Sequence, residues 1–258
     1  MLVDSHCHLN FPELAQNIDA VRQLMLVEEV GHALCVSVTL DKFPEVLALA
    51  EQYDNFYASV GVHPDYEDIE EPTVELLVRF ANHPKIVAIG ETGLDYFRLT
   101  GDLEWQRLRF RTHIRAAILA KKPLIIHTRS AAADTLRIMQ EEGAAQVGGV
   151  MHCFTESLEV ALAAIGMGFY ISFSGIVTFK NATQLKEVAQ QIPLDKMLVE
   201  TDSPYLAPMP FRGKTNQPAY VKYVAQEIAN LRGISLDEVM QATTANFFNL
   251  FRTAQKCN

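Results

Sequence analysis

Eight short apolar runs recur along this chain, and each is followed by a longer stretch with the apolar spacing of a helix. The runs are rich in Val and Ile and too short for helices, so they predict β-strands. They are LVDSHCH from Leu2, ALCVSV from Ala33, FYASVGVH from Phe56, KIVAIGE from Lys85, PLIIHT from Pro123, GGVMHC from Gly148, GFYISF from Gly168 and KMLVET from Lys196. Repeated strand-helix units predict parallel strands joined by right-handed crossovers.

A chain of 258 residues with eight such units fits a (β/α)₈ barrel, which commonly takes roughly 250 residues. We therefore predict the α/β class, with residues 1–258 forming a single TIM-barrel domain. An open doubly wound sheet is the alternative, although no G-x-G-x-x-G follows the first strand. Helical stretches at 219–231 and 236–251 follow the eighth strand. The first completes the eighth unit, and we expect the second, an extra C-terminal helix, to pack across the outside of the barrel.

The net charge of −9 argues against a broad basic surface, so any nucleic acid would bind locally. Asp4 and His6 stand where a secretory signal needs an apolar run, and no apolar stretch reaches the about 18 residues of a transmembrane helix. The four cysteines form no C-x-x-C pair: Cys7, Cys35, Cys153 and Cys257. We expect a cytoplasmic protein with reduced thiols, without membrane association or an obligate protein partner.

Histidines and acidic residues stand at the carboxyl ends of the apolar runs, where barrel enzymes carry their active sites. His6 and His8 are two apart on the first strand, so alternation turns both side chains to one face. The other four close the fourth, fifth, sixth and eighth runs: Glu91, His127, His152 and Asp202. A single His beside a strand is more often structural, but these six donors together predict one or two divalent ions, Mg, Mn or Zn, with Glu91 as the candidate bridge.

Alternation places two further carboxylates near these donors. Asp4 shares the parity of His6 and His8, so we expect it one layer deeper, orienting a ligand; the alternative is a solvated Asp at a frayed terminus. Glu200 shares the parity of Asp202. We predict Asp202 as the general base and Glu200 as a group that orients water.

Other histidines and cysteines have simpler interpretations. His32, His83 and His113 lie at a strand entrance, in a loop and on a helix, so we predict structural roles for them. Cys7 and Cys153 each neighbour a proposed ligand, and alternation turns neighbours to opposite faces. We expect both to be small core residues.

Seven motifs occur in order between Asp4 and Pro218: D-S-H-C-H-L, G-V-H-P, G-E-T-G-L-D, H-T-R, H-C-F-T, S-F-S-G and E-T-D-S-P-Y. With them the sequence closely resembles the TatD family of metal-dependent deoxyribonucleases, within the amidohydrolase superfamily. The resemblance implies a (β/α)₈ barrel, one or two metals on the six ligands, and hydrolysis of DNA by metal-activated water. Members often act as 3′ exonucleases on single-stranded DNA.

The resemblance also implies that His63 of G-V-H-P and Glu200 approach the scissile phosphate or the attacking water. From the sequence alone, His63 could equally cap the next helix. Candidate phosphate contacts are Arg98, Arg129, Lys180, Arg212 and Lys214, all in stretches that follow strand ends, with solvated loop charge as the alternative. Of these we favour Arg212 and Lys214. Tyr96, Phe97 and Tyr205 are candidates for stacking on bases or for packing at the mouth.

Two other functions use similar residues. An amidohydrolase or phosphotriesterase-like enzyme acting on a small molecule would share the barrel and the H-x-H strand. Its binuclear members usually bridge the metals with a carboxylated Lys on the fourth strand, where this chain has Glu91, with Lys85 at the opposite end. A non-catalytic metal-binding or nucleic-acid-binding barrel would not need the carboxylates Glu91, Glu200 and Asp202.

Overall fold

A computed structural model describes residues 1–97 and 99–254 of the protein. Eight strands form one parallel sheet in chain order, and all of them lie at the predicted apolar runs. They are β1 (Leu2–Cys7), β2 (Val30–Cys35), β3 (Phe56–Val60), β4 (Ile86–Asp95), β5 (Leu124–Arg129), β6 (Gly149–Met151), β7 (Phe169–Phe173) and β8 (Met197–Val199). The predicted (β/α)₈ barrel is confirmed.

Hydrogen bonds between β1 and the segment after β8 close the sheet. The Asp202 N–H donates to the His6 carbonyl oxygen at 2.9 Å, and the His8 N–H donates to the Ser203 carbonyl oxygen at 2.8 Å. Because closure occurs at these residues, it brings the proposed ligands of the first and last strands side by side.

Helices follow each strand and cover the outside of the barrel. They are α1 (Pro12–Ala15), α2 (Ile18–Val27), α3 (Phe43–Gln52), α4 (Val74–Ala81), α5 (Glu104–Ala120), α6 (Ala132–Glu141), α7 (Leu158–Gly166), α8 (Thr183–Gln191), α9 (Val221–Arg232) and α10 (Leu236–Leu250). Ser235 starts α10 with a capping box, in which its side chain and that of Glu238 each accept a backbone N–H. In the described part of the chain, no helix is both long and apolar enough to cross a membrane.

The interior of the barrel divides into an apolar lower half and a polar upper half. Ile125, Val150 and Leu198 belong to the buried apolar cluster of the lower half. Each lies two residues before a proposed site residue on the same strand or its extension, His127, His152 and Glu200 respectively. Since alternate strand residues share a face, the polar side chains point into the barrel directly above this apolar layer.

The C-terminal helix α10 lies beneath the amino-terminal end of the barrel. The Asn246 side chain donates to the carbonyls of Leu194 and Met197, just before and at the start of β8, at 2.9 and 2.8 Å. Thr244 Oγ1 donates to the carbonyl of Met1, which precedes β1, at 2.8 Å. The prediction that this helix packs across the outside of the barrel was therefore wrong.

Phe247 and Phe251 explain this position of α10. Both side chains are fully buried and pack in the same apolar cluster as the lower interior of the barrel. They cover apolar side chains that would otherwise face water at the open end of the barrel, and this burial favours the position of α10.

We expect Phe247→Ala to lower the free energy of unfolding by about 3–5 kcal/mol, because it removes a buried ring and leaves a cavity under the barrel. Urea denaturation measures the loss. As a control, Leu119→Ala on α5 removes a side chain whose residue is 66% exposed and should change stability by no more than about 0.5 kcal/mol. Equal losses in the two variants would show that α10 does not close the barrel.

Candidate metal centre

Glu91 stands in the middle of the polar half of the barrel, and its two carboxylate oxygens face different histidines. Oε2 lies 3.3 Å from His6 Nε2. Oε1 lies 2.7 Å from His152 Nε2 and 3.3 Å from both His127 Nδ1 and His63 Nε2. A carboxylate placed between two groups of nitrogen donors can bridge two metal ions.

Asp202 joins this cluster from the side of β1. Its Oδ1 lies 3.4 Å from His8 Nε2 and 3.7 Å from His6 Nε2. Its backbone is left-handed, with φ of 57°, a conformation that Asp and Asn tolerate better than other side chains do. The structure thus brings together all six proposed ligands.

The donor atoms fit divalent metal ions. Three sets have ligand atoms within 4.8 Å of one another: His6, His152 and Asp202; His6, His8 and Glu91; and His63, Glu91 and His127. His6 Nε2 and His152 Nε2 are buried near Glu91, yet neither forms a hydrogen bond with any described residue. Buried imidazole nitrogens without a hydrogen bond are costly, so nitrogens that converge on a shared point indicate ion ligands. Imidazole and carboxylate together suit Zn and Mn.

Asp95 fixes the ring of His127 from behind. Asp95 Oδ2 lies 3.1 Å from His127 Nε2, which leaves His127 Nδ1 facing Glu91. Such a carboxylate sets the tautomer and orientation of a ligand ring. Asp95 is not among the residues predicted from the sequence, although it shares the parity of Glu91 on β4. The prediction that Glu91 closes the fourth strand was wrong. Strand β4 continues to Asp95, because its residues after Glu91 pair with β5.

Glu200 fixes the ring of His152 in the same way. Its Oε1 lies 3.2 Å from His152 Nδ1 and accepts the Cys153 N–H at 2.7 Å. Its Oε2 is buried and has no hydrogen-bond partner in the described ranges. Glu200 therefore lies beside the cluster as expected, in contact with the outer nitrogen of His152, and its role in orienting water stays a prediction.

Asp4 lies beneath the cluster and is fully buried, so it is not a solvated residue at a frayed terminus. It accepts the backbone N–H and the hydroxyl of Thr201 at 2.8 and 2.5 Å, and the His6 N–H at 3.3 Å. Burial raises the pKa of Asp4 well above its ordinary value. Asp4 joins β1 to the segment after β8 through the backbone and contacts no ligand ring by a described hydrogen bond.

The carboxylate of Glu91 and the histidines around it shift each other's pKa. Burial opposes ionisation of Glu91, but the positive charges of His152, His63 and His6 outweigh it and hold the pKa of Glu91 well below its ordinary value. Burial also opposes protonation of His152, but the charges of Glu91 and Glu200 raise its pKa well above the ordinary value. Glu91 is therefore an anion throughout the physiological pH range.

His63 reaches the cluster from the loop after β3. Its Nδ1 forms a hydrogen bond with Asp65, which leaves Nε2 facing Glu91. Gly61 permits this close approach, because a Cβ at this position would lie 2.5 Å from the carbonyl carbon of Gly90. The loop therefore passes directly against the segment that carries Glu91.

Two buried residues of α5 hold the loop of His63. Arg109 donates to the carbonyls of His63 and Tyr66 at 3.2 and 2.8 Å. His113 Nε2 accepts the Val62 N–H at 3.0 Å. His113 is structural, as predicted, but its partner is the backbone beside a site residue. No sequence signal marks this contact, since Val62 and His113 are 51 residues apart.

Three of the proposed phosphate contacts lie at the carboxyl ends of strands or in the segments after them: Arg129 ends β5, and Arg212 and Lys214 lie in the segment that follows β8. The guanidinium of Arg129 stacks on Phe97 at 3.8 Å from the ring centroid, and that of Arg212 on Phe179 at 4.4 Å. Lys214 Nζ is 5.8 Å from the centroid of the Phe211 ring. In residues 1–97 and 99–254 none of the three cations forms an ion pair with a carboxylate or contacts the Glu91 cluster.

The remaining candidates separate into exposed and packed residues. Phe97 and Tyr205 are 61% and 53% exposed. Tyr96 instead donates a hydrogen bond to Asp134 at 2.9 Å and packs against the core, which favours the packing interpretation for this residue. Lys180 is exposed and shows no described contact with the site. Arg98 and Cys257 lie outside the described residues.

Cys7 is a buried core residue, as expected. Cys153 is only partly buried, and the prediction for it was wrong, since β6 ends at Met151 and Cys153 lies in the following turn with φ of 43°. Strand alternation does not apply in that turn.

We expect Glu91→Gln to weaken binding of the second metal ion at least tenfold while changing thermal stability little, because an amide is similar in size but a poor bridge. Equilibrium dialysis with metal analysis gives the stoichiometry, and thermal melting gives stability. Glu75→Gln on the exposed face of α4 is the control. Two ions per chain in Glu91→Gln, together with a loss of folding, would contradict a bridging role.

Burial lowers the pKa of His113 from 6.5 to about 4. As the pH falls below 6.5, the unfolded chain therefore takes up a proton that the folded protein does not, and the free energy of unfolding decreases until about pH 4. Between pH 7 and pH 5 this decrease amounts to about 2 kcal/mol. The decrease measured by urea denaturation should be smaller by that amount in His113→Gln. Parallel decreases in the two proteins would show that His113 titrates normally in the folded state.

This chain is similar to known proteins over nearly its whole length. A family model described as TatD related DNase matches residues 3–252. The metal-dependent hydrolase YcfH of Escherichia coli (strain K12) is 47% identical over 253 residues, which cover 97% of this chain and 95% of that protein. The metal-dependent hydrolase YabD of Bacillus subtilis (strain 168) is 44% identical over 253 residues, covering 98% and 99%.

Solved structures give the same result. The crystal structure of YjjV, a TatD homolog from Escherichia coli K12, matches with a TM-score of 0.90 and 30% identity over 97% of this chain and 98% of that one. Likeness in sequence and in fold thus extends over nearly the whole chain. We conclude that this chain belongs to the TatD-related DNase family and is a metal-dependent hydrolase.

Proposed function

We propose that this hydrolase cleaves phosphodiester bonds of DNA and acts as a 3′ exonuclease on single strands. The observation that carries the proposal is the position of Glu91, whose two oxygens face His6 on one side and His63, His127 and His152 on the other. These residues would hold one or two divalent ions, which would supply the charge stabilisation that displacement at phosphorus needs. The 3′ direction rests on the family resemblance.

The open side of the cluster indicates where a phosphate would enter. The side chains of His127, Asp202 and His63 are 17%, 16% and 15% exposed, whereas that of Glu91 is 3% exposed and that of His6 is fully buried. A substrate that approaches from solvent would therefore meet Asp202 and His63 before it meets the bridging carboxylate.

A divalent ion, when bound, would lower the pKa of a water molecule toward neutrality and would offset negative charge on phosphoryl oxygens. Asp202 is the residue that accepts the proton of the attacking water. Burial opposes its ionisation, but its hydrogen bond with His8 and the charge of His6 outweigh burial and lower the pKa of Asp202. The carboxylate is therefore ionised and ready to accept a proton.

His63 serves as a donor to the phosphate. Its hydrogen bond to Asp65 fixes the ring and leaves the partly exposed Nε2 as the reactive atom. Since His63 also faces Glu91 Oε1, its Nε2 points to the same region as the proposed ions. This position lets it bind a phosphoryl oxygen or protonate the departing oxygen.

Exposed rings and unpaired cations at the mouth suit a single strand. Unpaired bases can stack on Phe97 and Tyr205, which a duplex would not allow, because its bases already stack on one another. The guanidinium groups of Arg129 and Arg212 stack on aromatic rings and form no ion pair with a described carboxylate, so their N–H donors can reach phosphates. This local arrangement agrees with a chain whose net charge is −9.

A phosphotriesterase-like site bridged by a modified Lys is less well supported. Lys85 is the candidate Lys of this strand, and it precedes β4 at the far end of the barrel. Its Nζ donates to the carbonyls of Tyr53, Asp54 and Phe56 at 3.1, 3.1 and 3.3 Å. These contacts keep the amine away from the position that Glu91 occupies.

Metal-dependent release of nucleotides from single-stranded DNA tests the proposal. Strands labelled at the 5′ end should yield a ladder that shortens from the 3′ end, and a 3′ phosphorothioate should block it. The matched duplex should be degraded more slowly. Hydrolysis of small amides, lactones or phosphate esters at higher kcat/KM than DNA would refute the proposal.

We expect Asp202→Asn to reduce turnover by at least about 10²-fold, the usual effect of losing a positioned base, while DNA binding is largely kept. The change removes charge but little volume, and Asn tolerates the left-handed backbone. Single-turnover kinetics on a short oligonucleotide separate the two effects. Asp19→Asn, at a side chain that is 91% exposed, is the control. Cleavage by Asp202→Asn at the parental rate would end this assignment.

Arg212→Ala should have the opposite effect. We expect weaker binding of single-stranded DNA and a salt dependence of log affinity that is shallower by about one unit, with an unchanged chemical step. Titrations at several salt concentrations measure this, with the exposed Arg79→Ala as the control. Identical salt slopes in the two variants would show that Arg212 does not contact phosphate.

A further inference from the structure

A cavity of about 610 Å³ opens at the amino-terminal end of the barrel, opposite the Glu91 cluster. Its wall is formed by the segments around the starts of β5 to β8 and by the last turn of α10 with the residues after it. Lys122 lies in this wall, and His127 lies five residues further along β5. At about 3.3 Å per strand residue, the two ends are separated by roughly 16 Å. The cavity is therefore not an extension of the mouth.

Four cations line this cavity: Lys121, Lys122, Lys196 and Arg252. No Asp or Glu is among its lining residues. Within residues 1–97 and 99–254, none of the four cations forms an ion pair with a carboxylate. In the same protein, Arg111 and Arg115 on α5 both pair with Glu142. Unpaired positive charge is therefore concentrated at this cavity, as it is at the mouth, in a chain whose net charge is −9.

Two of the cations are held in place by neutral groups. Lys122 Nζ donates to the Ile86 carbonyl at 2.8 Å and to Thr253 Oγ1 at 3.1 Å, so one of its three donors has no described partner. Lys196 Nζ lies 4.9 Å from the centroid of the Tyr170 ring. These contacts orient the ammonium groups without neutralising them.

We propose that this cavity binds a small oligophosphate, either inorganic or the phosphate chain of a nucleotide. Positive charges that line one cavity without ion-paired carboxylates repel one another, and a ligand with several negative charges would relieve this repulsion. The volume lies in the range of roughly 300–1,000 Å³ that is usual for small-molecule sites. A concave site bounded by several chain segments fits a compact anion better than a long polyanion, which needs an open groove.

The bound oligophosphate joins the end of α10 to the starts of the strands above it. Arg252 and Thr253 follow α10, whereas Lys122 and Lys196 precede β5 and β8. A ligand that contacts both sides stabilises the closed lower end of the barrel, and by mass action it raises the melting temperature as its concentration increases. This inference does not depend on the substrate proposed for the Glu91 cluster.

Lys121 and Arg252 also lie near the carboxyl ends of α5 and α10, where cations stabilise helices electrostatically. If this were their whole role, oligophosphate would neither bind the cavity nor raise the melting temperature.

Calorimetric titration with inorganic tripolyphosphate tests the proposal. Because tripolyphosphate chelates metals, the titration is run on full-length protein in EDTA as well as on metal-loaded protein. We expect the double variant Lys196→Gln/Arg252→Gln to bind at least tenfold more weakly in EDTA. The control pair Lys42→Gln/Arg79→Gln loses the same charge at exposed sites and should bind within twofold of the parent. Thermal melting without ligand checks that both double variants fold, and the single variant Lys121→Gln provides a milder second test.

Three results would overturn the proposal: no binding by the parent in EDTA, equal weakening in the cavity and control pairs, or weakening only in Arg212→Gln/Lys214→Gln at the mouth. The proposal would also be overturned if a single-stranded oligonucleotide bound more weakly to Lys196→Gln/Arg252→Gln and tripolyphosphate did not displace it. That result would indicate a nucleic-acid surface.

Comparison of tripolyphosphate with deoxyadenosine triphosphate distinguishes an inorganic ligand from a nucleotide. Equal affinity indicates recognition of the phosphate chain alone, and tighter binding of the nucleotide indicates that the nucleoside is bound as well.

Discussion

The buried negative charge of Glu91 is the interaction on which the functional half of this protein depends. An ionised carboxylate inside a barrel is stable only if positive charge or a metal ion compensates it, and four histidines surround this one. Because the two oxygens face different histidines, the same residue that satisfies the electrostatics of the interior also divides the donors into two groups. Each of the other site residues is placed with respect to this carboxylate or to the histidines around it.

Stability and chemistry occupy opposite halves of the barrel. The lower half is filled by apolar side chains and closed by Phe247 and Phe251 of α10, so it can supply the free energy that the polar upper half costs. This arrangement lets the upper half keep imidazole nitrogens without hydrogen bonds. The same closure at the lower end creates the cationic cavity beside the last turn of α10, where the fold leaves several positive charges without carboxylate partners.

The orientation of the donors depends on residues outside the cluster. Asp95 and Glu200 hold the outer nitrogens of His127 and His152, and α5 holds the backbone around His63. These contacts matter because an imidazole has two nitrogens, and a ring that is free to turn would present either of them. The site is therefore a property of two layers, in which buried hydrogen bonds select the nitrogen that each ring directs toward Glu91.

The sequence by itself determined the strands, the barrel and the inner donors, because these follow from run length and from alternation along single strands. His6 and His8 illustrate this, since two residues on one strand must share a face. Only the tertiary structure decided the place of α10, the continuation of β4 to Asp95, and the contact of His113 with the backbone at Val62. The physical reason is that each of these depends on a partner distant in sequence: a strand continues where its neighbour offers hydrogen bonds, and a helix packs where apolar area remains uncovered.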